Sequence, residues 1–354
     1  MDLYKSKTYL EDLETTFRNV PCMKKLCGST VLITGCTGTI GSWIADTLLM
    51  YNFMQAANIR IILAGRSIVR MKEQFDKWPA SPPEYVRYDL NELPDWSFPV
   101  DYIIHAAGNA HPAAFNSDPC GTVTGSILGV WNLLQYGHSH GCRRFLYVSS
   151  GEVYGQGDLS LESFDETYGG YVDPTSPRSS YPNSKRASET LCASYTAQYG
   201  MDTVIIRPSH TYGPCITPGD NRANAQFLRS GSSGHAIIMK SSGTQIRSYT
   251  YASDCASATL TVLLSGKTGN AYNCAVPEAK CSIAEFAAAA AQASGTKVIF
   301  ETPGETDLAD RTPILKQVLS SEKTESLGWK GRFDIKTGVG HTLRILRESQ
   351  SLLP

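Results

Sequence analysis

Thr34-Gly35-Cys36-Thr37-Gly38-Thr39-Ile40-Gly41 decides how the rest of the chain is read. The stretch follows an apolar, strand-like run at residues 29–34 and precedes a helix-like run at residues 40–51. Glycines at GxxGxxG spacing between a strand and a helix let the backbone come close to a pyrophosphate. The helix N-terminus adds free N–H groups and a partial positive charge. The expectation is a dinucleotide cradle formed by Gly35, Thr37, Gly38, Thr39, Ile40 and Gly41, against the alternative of a tight turn needed only for packing.

Further along the chain, strand-like runs recur at residues 59–64, 84–88, 102–106, 145–149 and 203–207, with helix-like stretches at 122–140 and 180–199. Alternation of β and α at this spacing predicts an α/β fold, a Rossmann-type doubly wound parallel sheet with helices on both faces. We assign residues 28–207 to this dinucleotide-binding domain, with return segments near 250–275. Residues 1–27 form a helical extension, in which Tyr9, Leu10, Leu13 and Phe17 make one side of a short amphipathic helix. After Arg207-Pro208 the chain turns to Gly213-Pro214, Pro218-Gly219-Asp220 and the stretch 230–234, then to short strands and an alanine-rich helix near 283–294. Residues 208–354 are therefore expected to form mainly a smaller C-terminal substrate-binding lobe over the sheet's carboxyl edge.

Composition narrows the partners. Lys and Arg number 32 against 33 for Asp and Glu, so no global positive field draws in nucleic acid or an anionic membrane. The 10 cysteines are scattered without a CxxC pair or a histidine cluster at ligand spacing. They read as mostly buried thiols, with no metal site. The N-terminal residues lack the basic start and apolar core of a signal peptide, and no apolar run reaches the length of a membrane span. A cytoplasmic protein with small-molecule or protein partners is expected.

Two further motifs carry chemistry. In Ser149-Ser150-Gly151-Glu152-Val153-Tyr154-Gly155 a carboxylate sits two residues past a serine, where a buried strand ends. In Tyr181-Pro182-Asn183-Ser184-Lys185 the phenol and the ammonium lie four apart on one helical face. The ammonium there can stabilise a phenolate and ready it as a base near neutral pH. Pro182 requires the helix to open at about Tyr181, since proline fits only the first turn.

Taken in order, these motifs resemble those of the extended short-chain dehydrogenase/reductases, which include nucleotide-sugar epimerases, dehydratases and decarboxylases. The resemblance runs through "TGCTGTIG", "HAAGNAHP" at 105–112, "SSGEVYG", "YPNSK", "RPSHTYGP" at 207–214, "RSYTYASD" at 247–254 and "LGW" at 327–329. It implies that Tyr181 takes the proton of a sugar hydroxyl, normally at C4, while Lys185 holds the nicotinamide ribose and tunes Tyr181. Ser150 would hydrogen-bond the same hydroxyl. Asp89 and Leu90 would lie near the adenine, and Ala106, Ala107, Gly108 and Pro208 would line the cofactor cleft. Arg247 would meet the substrate diphosphate. Arg222 is a candidate second substrate arginine, against a reading as surface charge, and His210, where relatives carry asparagine, either contacts a sugar or phosphate oxygen or is a buried, hydrogen-bonded histidine.

Oxidation at C4 acidifies the neighbouring C–H bonds, so the fate of the keto-sugar depends on a second acid or base. Glu152 matches that group in 4,6-dehydratases and UDP-glucuronate decarboxylases. The aspartate that dTDP-glucose 4,6-dehydratases place before it is Gly151 here, and "GTQIRSYTYASD" and "KRASET" lean to the decarboxylases. A keto-sugar reductase that consumes NADPH and a non-catalytic cofactor sensor are the alternatives. Tightly bound NAD is the cofactor implied, although Arg66 stands where NAD enzymes carry an acid and by that rule favours NADP. The family also implies a homodimer through the helices at 122–140 and 180–199.

Overall fold

The computed structural model describes residues 2–110, 112–217, 219–302 and 314–350. Met1, His111, Pro218, residues 303–313 and residues 351–354 lie outside the described residues, and with them parts of the motif at 105–112 and of the turn at 218–220. Val31, Leu32 and Ile33 have no exposed surface, because β1 (Thr30–Thr34) runs through the middle of a sheet covered on both faces. A strand buried on both sides needs a continuous apolar run rather than alternation. The same holds for β2 (Arg60–Gly65), β4 (Tyr102–His105), β5 (Arg144–Val148) and β6 (Thr203–Pro208), while β3 (Glu84–Arg87) forms one edge. These six strands occur within one residue of where the sequence places them. A seventh, β10 (Ala271–Cys274), pairs with β6 and is the other edge.

All pairings in this sheet are parallel, and its order is β10-β6-β5-β4-β1-β2-β3. The direction of the order reverses between β1 and β4, and a crevice opens at the carboxyl ends of the strands at such a switch point. Thr34 lies beside Ala64 of β2 and His105 of β4, which brings the glycine loop and the segment after His105 to the same rim. Helices α2 (Thr39–Gln55), α5 (Pro119–Ser139), α6 (Ser180–Tyr199) and α8 (Ala252–Ser265) cover the faces. Pro182 falls in the first turn of α6, the one place where the helix tolerates it.

The helix α1 (Lys7–Arg18) packs on α2 and α8 and on the last helix, Ile335–Gln350. Burying Tyr9, Leu13 and Phe17 contributes roughly 1.5–3 kcal/mol each. Tyr4 and Tyr9 donate to Asp46 of α2, and Asp12 accepts from Tyr251 at 2.7 Å and pairs with His341 at 3.0 Å. Beyond β6 come β7 (His210–Tyr212), α7 (Ala223–Ser232), β8 (Ile237–Met239) and β9 (Ile246–Tyr251). β9 gathers β7, β11 (Lys280–Ser282) and β13 (Lys316–Gln317) into a second, mixed sheet, and β8 pairs with β12 (Val298–Phe300). The alanine-rich helix α9 (Ile283–Ser294) opens with a Ser282/Glu285 capping box.

Of the cysteines, Cys36, Cys192, Cys255 and Cys274 are buried, Cys27 and Cys120 are exposed, and none is in a disulfide. Among the described residues no three His, Cys, Asp or Glu side chains gather to hold a metal, and no helix is long and apolar enough to cross a membrane.

Candidate active site

On the dinucleotide side the glycines are required by contact. Gly35 has φ +68°, and a Cβ there would stand 2.4 Å from the carbonyl oxygen of Ala106. A Cβ on Gly41 would stand 2.3 Å from the carbonyl oxygen of Gly35. Loop, β4 and helix thus meet backbone to backbone, which no side chain permits. Gly38 caps α2 without a side-chain hydrogen bond. Thr39 Oγ1 donates to the Cys215 carbonyl at 3.1 Å, and Thr37 is half-buried beside it. At the end of β3, Asp89 accepts from the backbone and side chain of Asn91 at 3.0 and 3.2 Å. Leu90 packs against Gly125 and Gly129 of α5, and its carbonyl accepts from Asn132. Arg66 is exposed at the end of β2.

A cavity of about 410 Å³ occupies the crevice. Its lining includes Ile40, Ala106, Ala107, Gly108 and Pro208 on one side, Ser150, Glu152, Tyr181 and Lys185 at the centre, and His210, Arg222 and Arg247 on the other. Arg66, Asp89, Leu90 and the other residues of the glycine loop lie outside this lining, along the strand ends that continue it. A dinucleotide fits what is present: space is open where a side chain at Gly108 would stand, and α2 begins without a side-chain cap on its first N–H groups, with Ile40 of its first turn lining the cavity.

At the centre, Ser150, two residues past the end of β5, caps a turn of 3₁₀ helix, Gly151–Tyr154, accepting from the Glu152 N–H at 3.1 Å. Tyr181 is buried, and burial pushes its phenol up to about 12; a hydrogen bond from Ser150 pulls down, Glu152 pushes up, and Arg222 and Arg178 pull down. Lys185 is pushed down to about 8 by burial, with Glu189 opposing. Its ammonium donates to the Val148 carbonyl at 2.9 Å and stands 5.6 Å from the centre of the Tyr181 ring. The four-residue spacing places the two together, and burial is the largest influence on the phenol.

Three groups that the sequence reading did not single out complete the centre. Arg178 forms an ion pair with Glu152 at 3.2 Å, and its buried Nε–H has no hydrogen-bond partner among the described residues. Phe115 stacks on Tyr181 at 4.4 Å between ring centres, and the Arg178 guanidinium lies 5.2 Å from the Phe115 ring. Gln317 donates to the Gly151 carbonyl at 2.8 Å. A Cβ at Gly151 would lie 3.1 Å from a Leu319 methyl and 3.3 Å from the Pro208 carbonyl oxygen, so a side chain there would be tightly confined. Below the centre, Glu189 accepts from Ser149 and Arg207, and Arg207 also donates to Tyr154.

On the far side, Arg247 is 2 % exposed and donates to the carbonyls of Ile246 and Ile314, with no carboxylate in an ion pair among the described residues. Arg222 is held by Asp220 at 2.6 Å. Burial, with Arg247 and Arg222 adding to it, drives His210 down to about 3, so it is a neutral imidazole whose Nδ1 has no partner among the described residues. The wall therefore offers Arg178, Lys185, Arg222 and Arg247 against Glu152, a surplus of positive charge suited to a polyanion.

Known proteins agree with this architecture. The chain is 31% identical over 314 residues to UDP-glucuronic acid decarboxylase 6 of Arabidopsis thaliana, covering 87% of this chain and 86% of that one. It is 31% identical over 258 residues to the human dTDP-D-glucose 4,6-dehydratase, covering 71% and 69%. The structure of a dTDP-glucose 4,6-dehydratase from Streptomyces venezuelae with NAD bound superposes with a TM-score of 0.76 at 22% identity, over 91% of this chain and 98% of that one. Residues 31–275 match the NAD dependent epimerase/dehydratase family, and the chain belongs to it.

Proposed function

We propose that this chain modifies a nucleotide-linked sugar by transient oxidation at C4, and that its substrate is a hexuronate which it decarboxylates. The observation that carries the proposal is the Glu152–Arg178 pair beside Ser150 and Tyr181, at a position where Gly151 supplies no second acid. A dehydration needs an acid to expel hydroxide; loss of carbon dioxide from a 4-keto-uronate does not. The decarboxylases among the relatives support the same choice.

The family's cofactor is a nicotinamide adenine dinucleotide, and the glycine loop, Gly108 and Lys185 are the residues to hold it. When bound, its nicotinamide supplies the acceptor for the C4 hydride and gives the hydride back. Tyr181 takes the proton of the C4 hydroxyl, with Ser150 orienting that oxygen. The C5–C6 bond of the resulting β-keto acid then breaks, carbon dioxide leaves, and the electron pair is taken up by the C4 carbonyl. A proton from water, relayed by Glu152, is added at C5 in place of the lost carboxylate as the C4 carbonyl re-forms, and Tyr181 returns its own proton to O4 when C4 is reduced. Arg178, through its unpartnered Nε–H, binds the uronate carboxylate. Arg222 and Arg247 hold the diphosphate. We further propose that the dinucleotide stays tightly bound between turnovers, since hydride leaves and returns in one cycle.

The test is incubation of the purified chain with UDP-, dTDP-, GDP- and CDP-hexuronates without added cofactor, reading product mass and released carbon dioxide. A product lighter than its substrate by one carbon dioxide, with no net change in cofactor, is the expected result. An unchanged mass with inverted ring stereochemistry would make the reaction an epimerisation and remove Glu152 from the chemistry. Turnover only with stoichiometric NADPH would instead support net reduction, the reading that Arg66 favours.

A further inference from the structure

The end of β2 carries a feature that the chemistry above does not use. In a dinucleotide cleft of this order the adenosine ribose lies at that end, where a carboxylate accepts from both ribose hydroxyls and repels a 2′-phosphate. This chain has Ala64-Gly65-Arg66-Ser67 there, with no acid. The register sets Ala64 beside Thr34, so that Arg66 leaves the sheet level with Cys36 of the glycine loop. Ser67 caps α3 (Ile68–Phe75) by accepting from the Arg70 N–H at 3.2 Å, which fixes Arg70 one turn beyond Arg66. Met71 of the same helix touches Cys36, sulfur to sulfur, at 3.3 Å, so α3 is seated against the loop. The charge of Arg70 also reaches Cys36, where it opposes the upward push of burial on the thiol.

Both guanidinium groups are exposed, and among the described residues neither makes an ion pair. Of the acids in this part of the chain, Glu92 is engaged by Arg87 at 2.6 Å, Asp76 by Tyr85 and Asp89 by Asn91, while Glu73, three residues beyond Arg70 on α3, makes no ion pair with either arginine. Two arginines that form no ion pair among the described residues, at the place where a ribose hydroxyl arrives, match a dianionic phosphate in charge and in bidentate geometry.

We infer that Arg66 and Arg70 form a receptor for an adenosine 2′-phosphate, so that this chain binds NADP at least as tightly as NAD. The inference rests on the reading of the crevice as a dinucleotide site. It concerns the adenosine end only and is independent of what happens to the sugar.

Calorimetric titration of the full chain, freed of copurified nucleotide, tests it with 2′,5′-ADP, 5′-ADP, NADP and NAD. The expected result is that 2′,5′-ADP binds about tenfold tighter than 5′-ADP, an advantage that shrinks with added salt. Arg66→Ala should remove most of that advantage and Arg66→Ala/Arg70→Ala all of it, with 5′-ADP affinity and the unfolding midpoint unchanged. Equal affinity for the two ADP isomers in the unmodified chain overturns the inference and leaves the dinucleotide site standing if NAD still binds. So does an Arg66→Ala variant that weakens both isomers alike, since Arg66 would then only stack on the adenine. If none of the four ligands binds, the inference fails together with the functional reading.

Discussion

Tyr181 and Lys185 share one turn of α6, yet burial acts on them in opposite directions, which gives each its own test. A buried phenol pushed up to about 12 holds its proton until a charge in the cleft draws it off. Tyr181→Phe should therefore lose turnover by about 10³-fold or more while dinucleotide titration is unchanged; a variant that keeps even a few per cent of activity removes Tyr181 from the proton transfer. Lys185 falls from 10.5 to about 8. Between about pH 8 and 10.5 the folded chain holds fewer protons at this group than the unfolded chain, so its contribution to stability grows as pH rises through that window. Below pH 8 both states carry the charge, and the cost of burying it is undiminished. Lys185→Met should thus unfold at or above the wild-type midpoint at pH 7, lose that advantage by pH 10, and turn over at least about 100-fold more slowly. A midpoint clearly below wild type at pH 7 would mean that the bond to Val148 outweighs burial. Glu152→Gln should still reduce the bound dinucleotide in a single turnover on a hexuronate, then release carbon dioxide slowly. Wild-type release would leave Glu152 as a partner of Arg178 and nothing more.

At the level of elements, the glycine loop separates what folding requires from what a ligand requires. Gly35→Ala puts a methyl group 2.4 Å from the Ala106 carbonyl oxygen at positive φ, and should cost about 1–3 kcal/mol of stability as well as dinucleotide affinity. Gly38 has φ −92° and open space around it, apart from one contact at 3.4 Å. Gly38→Ala should unfold at nearly the wild-type midpoint yet bind dinucleotide weakly, because the added methyl stands where a pyrophosphate would approach; chemical unfolding and a fluorescence titration read the two effects separately. The element pattern here was legible, since β1 and α2 carry long periodic runs on either side of the loop. The centre was only partly so. Ser150, Glu152, Tyr181 and Lys185 could be read because each sits at a strand end or on a helical face. Arg178 could not, because its pairing with Glu152 spans 26 residues through irregular chain that no period describes. Phe115 reaches Tyr181 from the short helix Pro112–Ser117, which has too few residues to show a pattern. The strands β7, β11 and β13 are two or three residues long, and what makes them strands is pairing to β9 rather than propensity.

Across the whole molecule, the same polar logic that builds the centre ties its distant ends. Ser6 and Thr8 bond to Glu348, and Asp12 joins Tyr251 to His341, so the first helix fastens the last one to the sheet. Sequence showed that first helix only as an amphipathic stripe, because its polar partners Tyr251 and His341 lie more than 200 residues away. One surface is left without such ties. α5 and α6 pack against each other, and on their outer side Trp131 is 42 % exposed and Tyr199 47 %, with the His138 ring 5.1 Å from that of Tyr199. Large aromatics left in water on adjoining helices are the groups that dominate interfaces once covered. A two-fold contact would bury both helices against their copies, a self-complementary patch. We therefore expect the chain to sediment as a dimer and Trp131→Asp to sediment as a monomer that still binds dinucleotide, since the cleft opens at the strand ends and not on this face. Turnover should fall no more than severalfold, because Tyr181 and Lys185 sit at the buried start of α6 and Trp131 faces outward. A variant that stays dimeric at micromolar concentration would place the interface elsewhere, and one that loses dinucleotide binding would mean that this pair of helices supports the crevice itself.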